Sequence, residues 1–124
     1  MTMPEPAADR VTVVFNPRCS KCRTARGLLA KHGVEANLYE YLKDAPTRAD
    51  VERLMDLLGV DDPRAMVRTG EDAYRELDLA AAGHDELIDA MVAHPILIER
   101  PIVIRGDRAV IARPPDKLLA LLDG

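Results

Sequence analysis

The 124-residue chain has no tryptophan, one phenylalanine and three tyrosines, so aliphatic side chains must build its core. It has two cysteines, too few for a disulfide framework or for a four-cysteine metal knot. Long apolar runs are missing as well. A stretch such as Val11 to Phe15 falls far short of the roughly 20 residues that span a bilayer, which predicts a protein with no membrane segment. A basic excess is also absent. The net charge of −4 speaks against general affinity for nucleic acid or anionic lipid. The first ten residues hold Pro4, Glu5, Pro6, Asp9 and Arg10 in place of a cationic start and an apolar stretch, so they fail as a secretory leader. We read residues 1–10 as a flexible tail on a cytoplasmic protein and residues 11–124 as one domain, expected to be a monomer.

The composition that remains is globular, with 48% hydrophobic and 31% charged residues. Val11 to Phe15 is a β-branched and aromatic run suited to a strand buried on both faces. A helix is expected from Cys19 or Ser20 to Lys31, with Ala25, Leu28 and Leu29 at helical spacing and His32-Gly33 as the stop. Asn37 to Leu42 alternates in polarity and predicts a second strand, parallel to the first because the chain returns through a helix. Thr47-x-x-Asp50 resembles a capping box ahead of Val51, Leu54, Met55 and Leu58, with Gly59 as terminator. Asp62-Pro63 opens a short helix to Val67, and Asp85 to Ala93 a longer one, so residues 47–94 should be mostly helical. Ile102 to Arg105 and Ala109 to Ala112 flank Gly106-Asp107 as a hairpin, and Pro114-Pro115-Asp116 starts a closing helix. The order β-α-β, helices, β-β-α describes an α/β domain with a helical insertion.

The chemistry gathers in Asn16-Pro17-Arg18-Cys19-Ser20-Lys21-Cys22, where the first strand runs into the first helix. From Asn16 to His32 lie five basic residues (Arg18, Lys21, Arg23, Arg26 and Lys31) and no acid. A thiol at a helix N-terminus faces unpaired N–H groups and the positive end of the helix dipole, both of which favour the thiolate. With Arg18, Lys21 and Arg23 nearby, Cys19 is predicted to titrate below the free thiol's value of about 8.5 and to act as a nucleophile. An inert buried pair is the weakest competing reading, because position and flanking charge argue against full burial. Zinc is disfavoured by ligand count, since His32, His84 and His94 show no ligand spacing, and no metal is expected. General dithiol–disulfide exchange is the reading that Cys-x-x-Cys alone leaves open.

Further motifs carry a resemblance. Asn16-Pro17-x-Cys19, Val67-Arg68, Tyr74-x-Glu76-Leu77, His94-Pro95-x-Leu97-Ile98-x-Arg100-Pro101-Ile102-Val103 and Arg113-Pro114 follow, in order, the pattern of glutaredoxin-coupled arsenate reductases. The resemblance runs from Val11 to Leu122, and the block from His94 to Val103 is its most specific part. It implies a thioredoxin-like fold with a mixed four-stranded sheet and a helical insertion between strands 2 and 3. It implies Cys19 as the residue that attacks arsenic, and Arg68, Arg100 and Arg113 as the ligands of the oxyanion. It also implies a cis Arg100-Pro101 bond that sets Arg100 near Cys19, with Asn16, Pro17 and Pro101 shaping the site. No bound cofactor is implied. Glutathione or another thiol would be the cosubstrate, arsenate or a similar oxyanion the substrate, and glutaredoxin or thioredoxin the protein partner.

Guanidinium suits this task, since its planar fork gives two parallel hydrogen bonds to an oxyanion where lysine offers only a point charge. Arg48, Arg53 and Arg64 lie outside the motifs and are expected at the surface. His94 reads as a polar helix end and not as a catalyst. Two positions depart from the pattern: Phe15 stands where relatives commonly carry a histidine that helps ionise the cysteine, and Cys22 stands where many have serine. Cys22 would supply a resolving thiol. A redox-switched transcriptional regulator of the Spx type shares the fold, the Cys-x-x-Cys and the Arg-Pro-Ile block, and Arg113 is the feature that separates the two readings.

Overall fold

The computed structural model describes residues 10–122; the expected tail, apart from Arg10, lies outside the described residues. Four strands form one mixed sheet in the order β2-β1-β3-β4. β1 (Val11–Val14) pairs in parallel with β2 (Asn37–Tyr39) and antiparallel with β3 (Ile102–Arg105), which in turn pairs antiparallel with β4 (Arg108–Ile111). The hairpin between β3 and β4 turns at Gly106-Asp107, where Gly106 takes φ 61°.

The period-two geometry of a strand divides the core. Val11, Val13, Phe15 and Val103 face one side, and join Cys22, Ala25 and Leu29 of α1 (Ser20–Lys31) and Leu118 and Leu121 near the C-terminus. Val14, Ile102 and Ile104 face the other, against Val51, Leu54 and Met55 of α2 (Arg48–Leu58) and Leu87, Ile88 and Met91 of α4 (His84–Ala93). Each fully buried Leu or Ile contributes on the order of 1.5–3 kcal/mol relative to leaving it in water. The central strands are thus covered on both faces, and their open ends are left to the loops that carry the chemistry.

The helical insertion follows its caps. Thr47 Oγ1 accepts from the Asp50 N–H at 3.1 Å and Asp50 Oδ2 accepts from the Thr47 N–H at 2.9 Å, the reciprocal capping box expected. α2 ends on Gly59 at φ 72°, a left-handed conformation that glycine adopts without a Cβ penalty. A 3-10 turn occupies Pro63–Met66, α3 spans Asp72–Glu76, and the chain closes with a 3-10 turn at Pro115–Leu118 running into α5 (Leu119–Leu122). No helix among the described residues is long and apolar enough to cross a membrane.

Two expectations are corrected. The second strand stops at Tyr39, because the N–H groups of Tyr41, Lys43 and Asp44 donate locally to the carbonyls of Tyr39 and Glu40 and make a turn in place of a ladder. Arg64 is partly buried where solvation was expected: it donates to the Tyr74 hydroxyl (3.2 Å) and to the carbonyls of Leu79 (3.1 Å) and Ala82 (2.6 Å). It therefore pins the segment between α3 and α4. Arg53 too is only 23% exposed, beside Asp50, whereas Arg48 lies at the surface between Asp85 and Asp89.

Candidate active site

Cys19 is the N-cap of α1, in extended conformation, and its N–H donates to the Asn16 carbonyl at 2.9 Å. Asn16, buried, returns its side-chain oxygen to the Arg18 N–H at 3.0 Å, so the loop from Asn16 to Cys19 is held by its own asparagine. Pro17 is exposed on this loop. The two thiols have unlike surroundings: Cys19 is partly exposed, while Cys22, one turn on, is fully buried against Phe15 and the strands of that face. The competing picture of a buried pair is thus not what is found: Cys19 is partly exposed, and Cys22, on the inward stripe of α1, is buried.

This asymmetry separates their acidities. Burial pushes the Cys19 thiol up, yet its pKa lies below the ordinary value, because the Cys22 N–H and thiol hydrogen-bond to its sulfur and the Arg100 guanidinium adds charge and a further hydrogen bond. Cys22 is pushed up to about 12, chiefly by burial. It thus remains protonated and donates to its neighbour. The predicted direction for Cys19 is the one found, but the cation behind it is different. Arg18 and Lys21 are exposed and Arg23 donates to the Pro17 carbonyl at 2.8 Å, whereas Arg100, remote in sequence, supplies the charge.

Arg100 and Arg113 approach this sulfur from two remote segments, and Arg68 is joined to them through Glu99. The short antiparallel bridge Val67–Ile98, with Arg68 N–H donating to the Leu97 carbonyl (2.7 Å) and Glu99 N–H to that of Met66 (2.8 Å), brings residue 68 beside residues 99 and 100. The Arg100-Pro101 peptide is cis, and so is Arg113-Pro114. Arg113 Nε donates to the Arg100 carbonyl at 2.7 Å, and its Nη2 lies 4.0 Å from Cys19 Sγ. Arg100 Nε and Nη1 are buried with no hydrogen-bond partner among the described residues. Buried cationic donors without an acceptor are costly, and an anion is what would satisfy them.

Three residues of this cluster escaped the sequence reading. Glu99 Oε1 is 3.2 Å from Arg68 Nη1 and 3.5 Å from Arg113 Nε, one carboxylate oxygen shared by two guanidiniums; its only signal was its place beside Arg100 in the motif. Glu71 adds a second carboxylate, 3.6 Å from Arg68 Nε. Tyr41 is fully buried, its phenol pushed up to about 12 by burial, and its hydroxyl, without a partner among the described residues, lies in the field of Arg100, Arg68 and both cysteines. Phe15 is buried in the same apolar cluster as Cys22. His94 is exposed at the C-terminal end of α4, in keeping with the structural reading. No group of three or more His, Cys, Asp or Glu among the described residues is placed to hold a metal ion.

The model of the ArsC family matches residues 15–121. The chain belongs to the ArsC family. It is 39% identical to an arsenate reductase of Haemophilus influenzae over 90% of its own length and 98% of that protein. It is 41% identical to the uncharacterised protein YfgD of Escherichia coli, over 91% and 97% of the two chains. Among solved structures, an arsenate reductase from Vibrio cholerae superposes with a TM-score of 0.87 at 39% identity, covering 92% of this chain and 98% of that one. The fold is accordingly the thioredoxin-like fold of this family, with its mixed four-stranded sheet and the helical insertion between β2 and β3.

Proposed function

We propose that this ArsC-family protein is a thiol-dependent arsenate reductase that works through a Cys19–arsenic adduct. The observation that carries the reading is the convergence on one activated sulfur of Arg113, at 4.0 Å, and Arg100, two of whose nitrogens are buried without partners. Arsenate spreads its charge over oxygens that such donors can hold, and fixed donors stabilise the density that builds on those oxygens as sulfur attacks. Arg68, tied into the cluster through Glu99, completes the set. Asn16, Pro17 and Pro101 shape the loops that present these groups.

In the first step the Cys19 thiolate forms a bond to As(V) and an arsenic-bound oxygen leaves as water, with protons taken from the hydrogen arsenate and solvent. A second thiol then attacks the Cys19 sulfur: the S–As bond breaks, its electron pair stays on arsenic, and arsenite departs as As(III) while the two sulfurs are oxidised to a disulfide. That second thiol is glutathione or Cys22. Glutaredoxin or thioredoxin returns the disulfide to thiols. The nearness of Arg113 to Cys19 also favours this reading over a redox-switched regulator, which has no use for an oxyanion ligand there.

The test is arsenite formation by the purified protein with glutathione and glutaredoxin. Wild type should turn over and Cys19→Ser should be inactive. Arsenite released at the wild-type rate by Cys19→Ser would end the proposal.

A further inference from the structure

Glu99 is an anomaly in a site for anions. Its backbone is held by the hydrogen bond to Met66 and its carboxylate by Arg68 and Arg113, so the negative charge is built in and not a swinging surface group. It is 25% exposed, and the same Arg113 guanidinium that faces it also faces Cys19. An anion held in front of Cys19 by Arg100 and Arg113 therefore sits next to a carboxylate. An ionised carboxylate accepts hydrogen bonds and donates none. Whatever binds beside it must bring a proton on the facing oxygen, or place two acceptors together at a like-charge cost.

Resting on the oxyanion reading given above, we propose that Glu99 is a specificity-determining residue that accepts a hydrogen bond from an O–H of the bound oxyanion and so selects protonated oxyanions over fully ionised ones. At neutral pH arsenate and phosphate carry at least one O–H, and sulfate carries none. The arginines alone cannot make this distinction, because all their groups donate. One carboxylate among three guanidiniums can, by rejecting the anion that has no proton to offer. It also keeps Arg68 and Arg113 oriented between turnovers, at the cost of weakening the net pull on any anion.

The experiment needs no turnover. Cys19 is alkylated with iodoacetamide at pH 7 in the presence of inorganic phosphate or of sulfate, two anions that do not react with thiols, and the concentration giving half-protection is read for each. In the wild type, phosphate should protect at a concentration about 10-fold or more below that of sulfate, the size expected for one half-buried acceptor left facing an acceptor. Glu99→Gln, whose amide can donate, should bring the ratio close to one by strengthening sulfate protection, and Glu99→Asp should keep the preference for phosphate. A ratio near one in the wild type, an unchanged ratio in Glu99→Gln, or no protection by either anion in any of the three proteins would overturn the proposal. Arsenite formation separates this from the parent reading. An active enzyme that does not discriminate loses the role of Glu99 and keeps the reductase; a discriminating protein that makes no arsenite does the reverse.

Discussion

Arg113 Nη2 stands 4.0 Å from Cys19 Sγ although 94 positions separate the two residues. The contact exists because β3 runs antiparallel to β1 and β4 antiparallel to β3, which returns the end of β4 to the level of the loop after β1. The same guanidinium is fixed from behind by the Arg100 carbonyl at 2.7 Å. Its position is thus set by backbone, and its free edge is turned to the sulfur.

This arrangement predicts that Arg113→Ala lowers kcat/KM for arsenate by about 10²–10³-fold, the usual loss for one fixed donor to a developing oxyanion. Arg113→Lys should recover only part of it, since the ammonium lacks the fork. Steady-state arsenite formation checks both. Equal activity of all three proteins would remove Arg113 from the site.

Arg100 favours the thiolate form of Cys19. A cation lowers a thiol's pKa, so replacing it by a neutral residue of similar length, Arg100→Met, should raise that pKa. The alkylation rate at pH 6 to 7 is expected to fall in the variant, and the two proteins should converge as the pH rises above the ordinary thiol range. Rate against pH, with the thiolate's ultraviolet absorbance as a second readout, tests the sign.

Cys22 is pushed up to about 12 and hydrogen-bonds to Cys19. If it serves as the second thiol, wild type given arsenate without external thiol should release about one arsenite per chain, two electrons coming from two sulfurs. Cys22→Ala should release none, yet turn over when glutathione is added. Because the attacking thiol must first lose its proton, the single-turnover rate should climb with pH. Release of arsenite by Cys22→Ala in the absence of glutathione would exclude the role.

Arg64 donates to three acceptors between Tyr74 and Ala82. Arg64→Met should cost about 1.5–3 kcal/mol, the range for hydrogen bonds to a charged group. The loosening should be local, seen as faster hydrogen exchange over residues 72–83 with β1 and β3 unchanged. Urea denaturation and exchange mapped by mass spectrometry measure the two effects.

What could be read from the chain alone was whatever local chemistry decides. The Thr47–Asp50 capping box, the Gly59 terminator, the hairpin at Gly106-Asp107 and the apolar runs of β1 and β3 each follow from the preferences of neighbouring residues. So did the placing of Cys19 at a helix start, since Asn16-Pro17 ends a strand and the stripe of Ala25 and Leu29 begins a helix. The tertiary structure alone decided which charges act on that thiol. The adjacent Arg18 and Lys21 are carried outward by the helix, while Arg100 and Arg113 arrive from remote segments. Motif resemblance could name Arg100 and Arg113; it could not show one carboxylate oxygen shared between Arg68 and Arg113. Sequence separation carries no distance, and electrostatics depends on distance and burial, so the ionisation of Cys19 is a property of the packed chain and not of its neighbours in sequence.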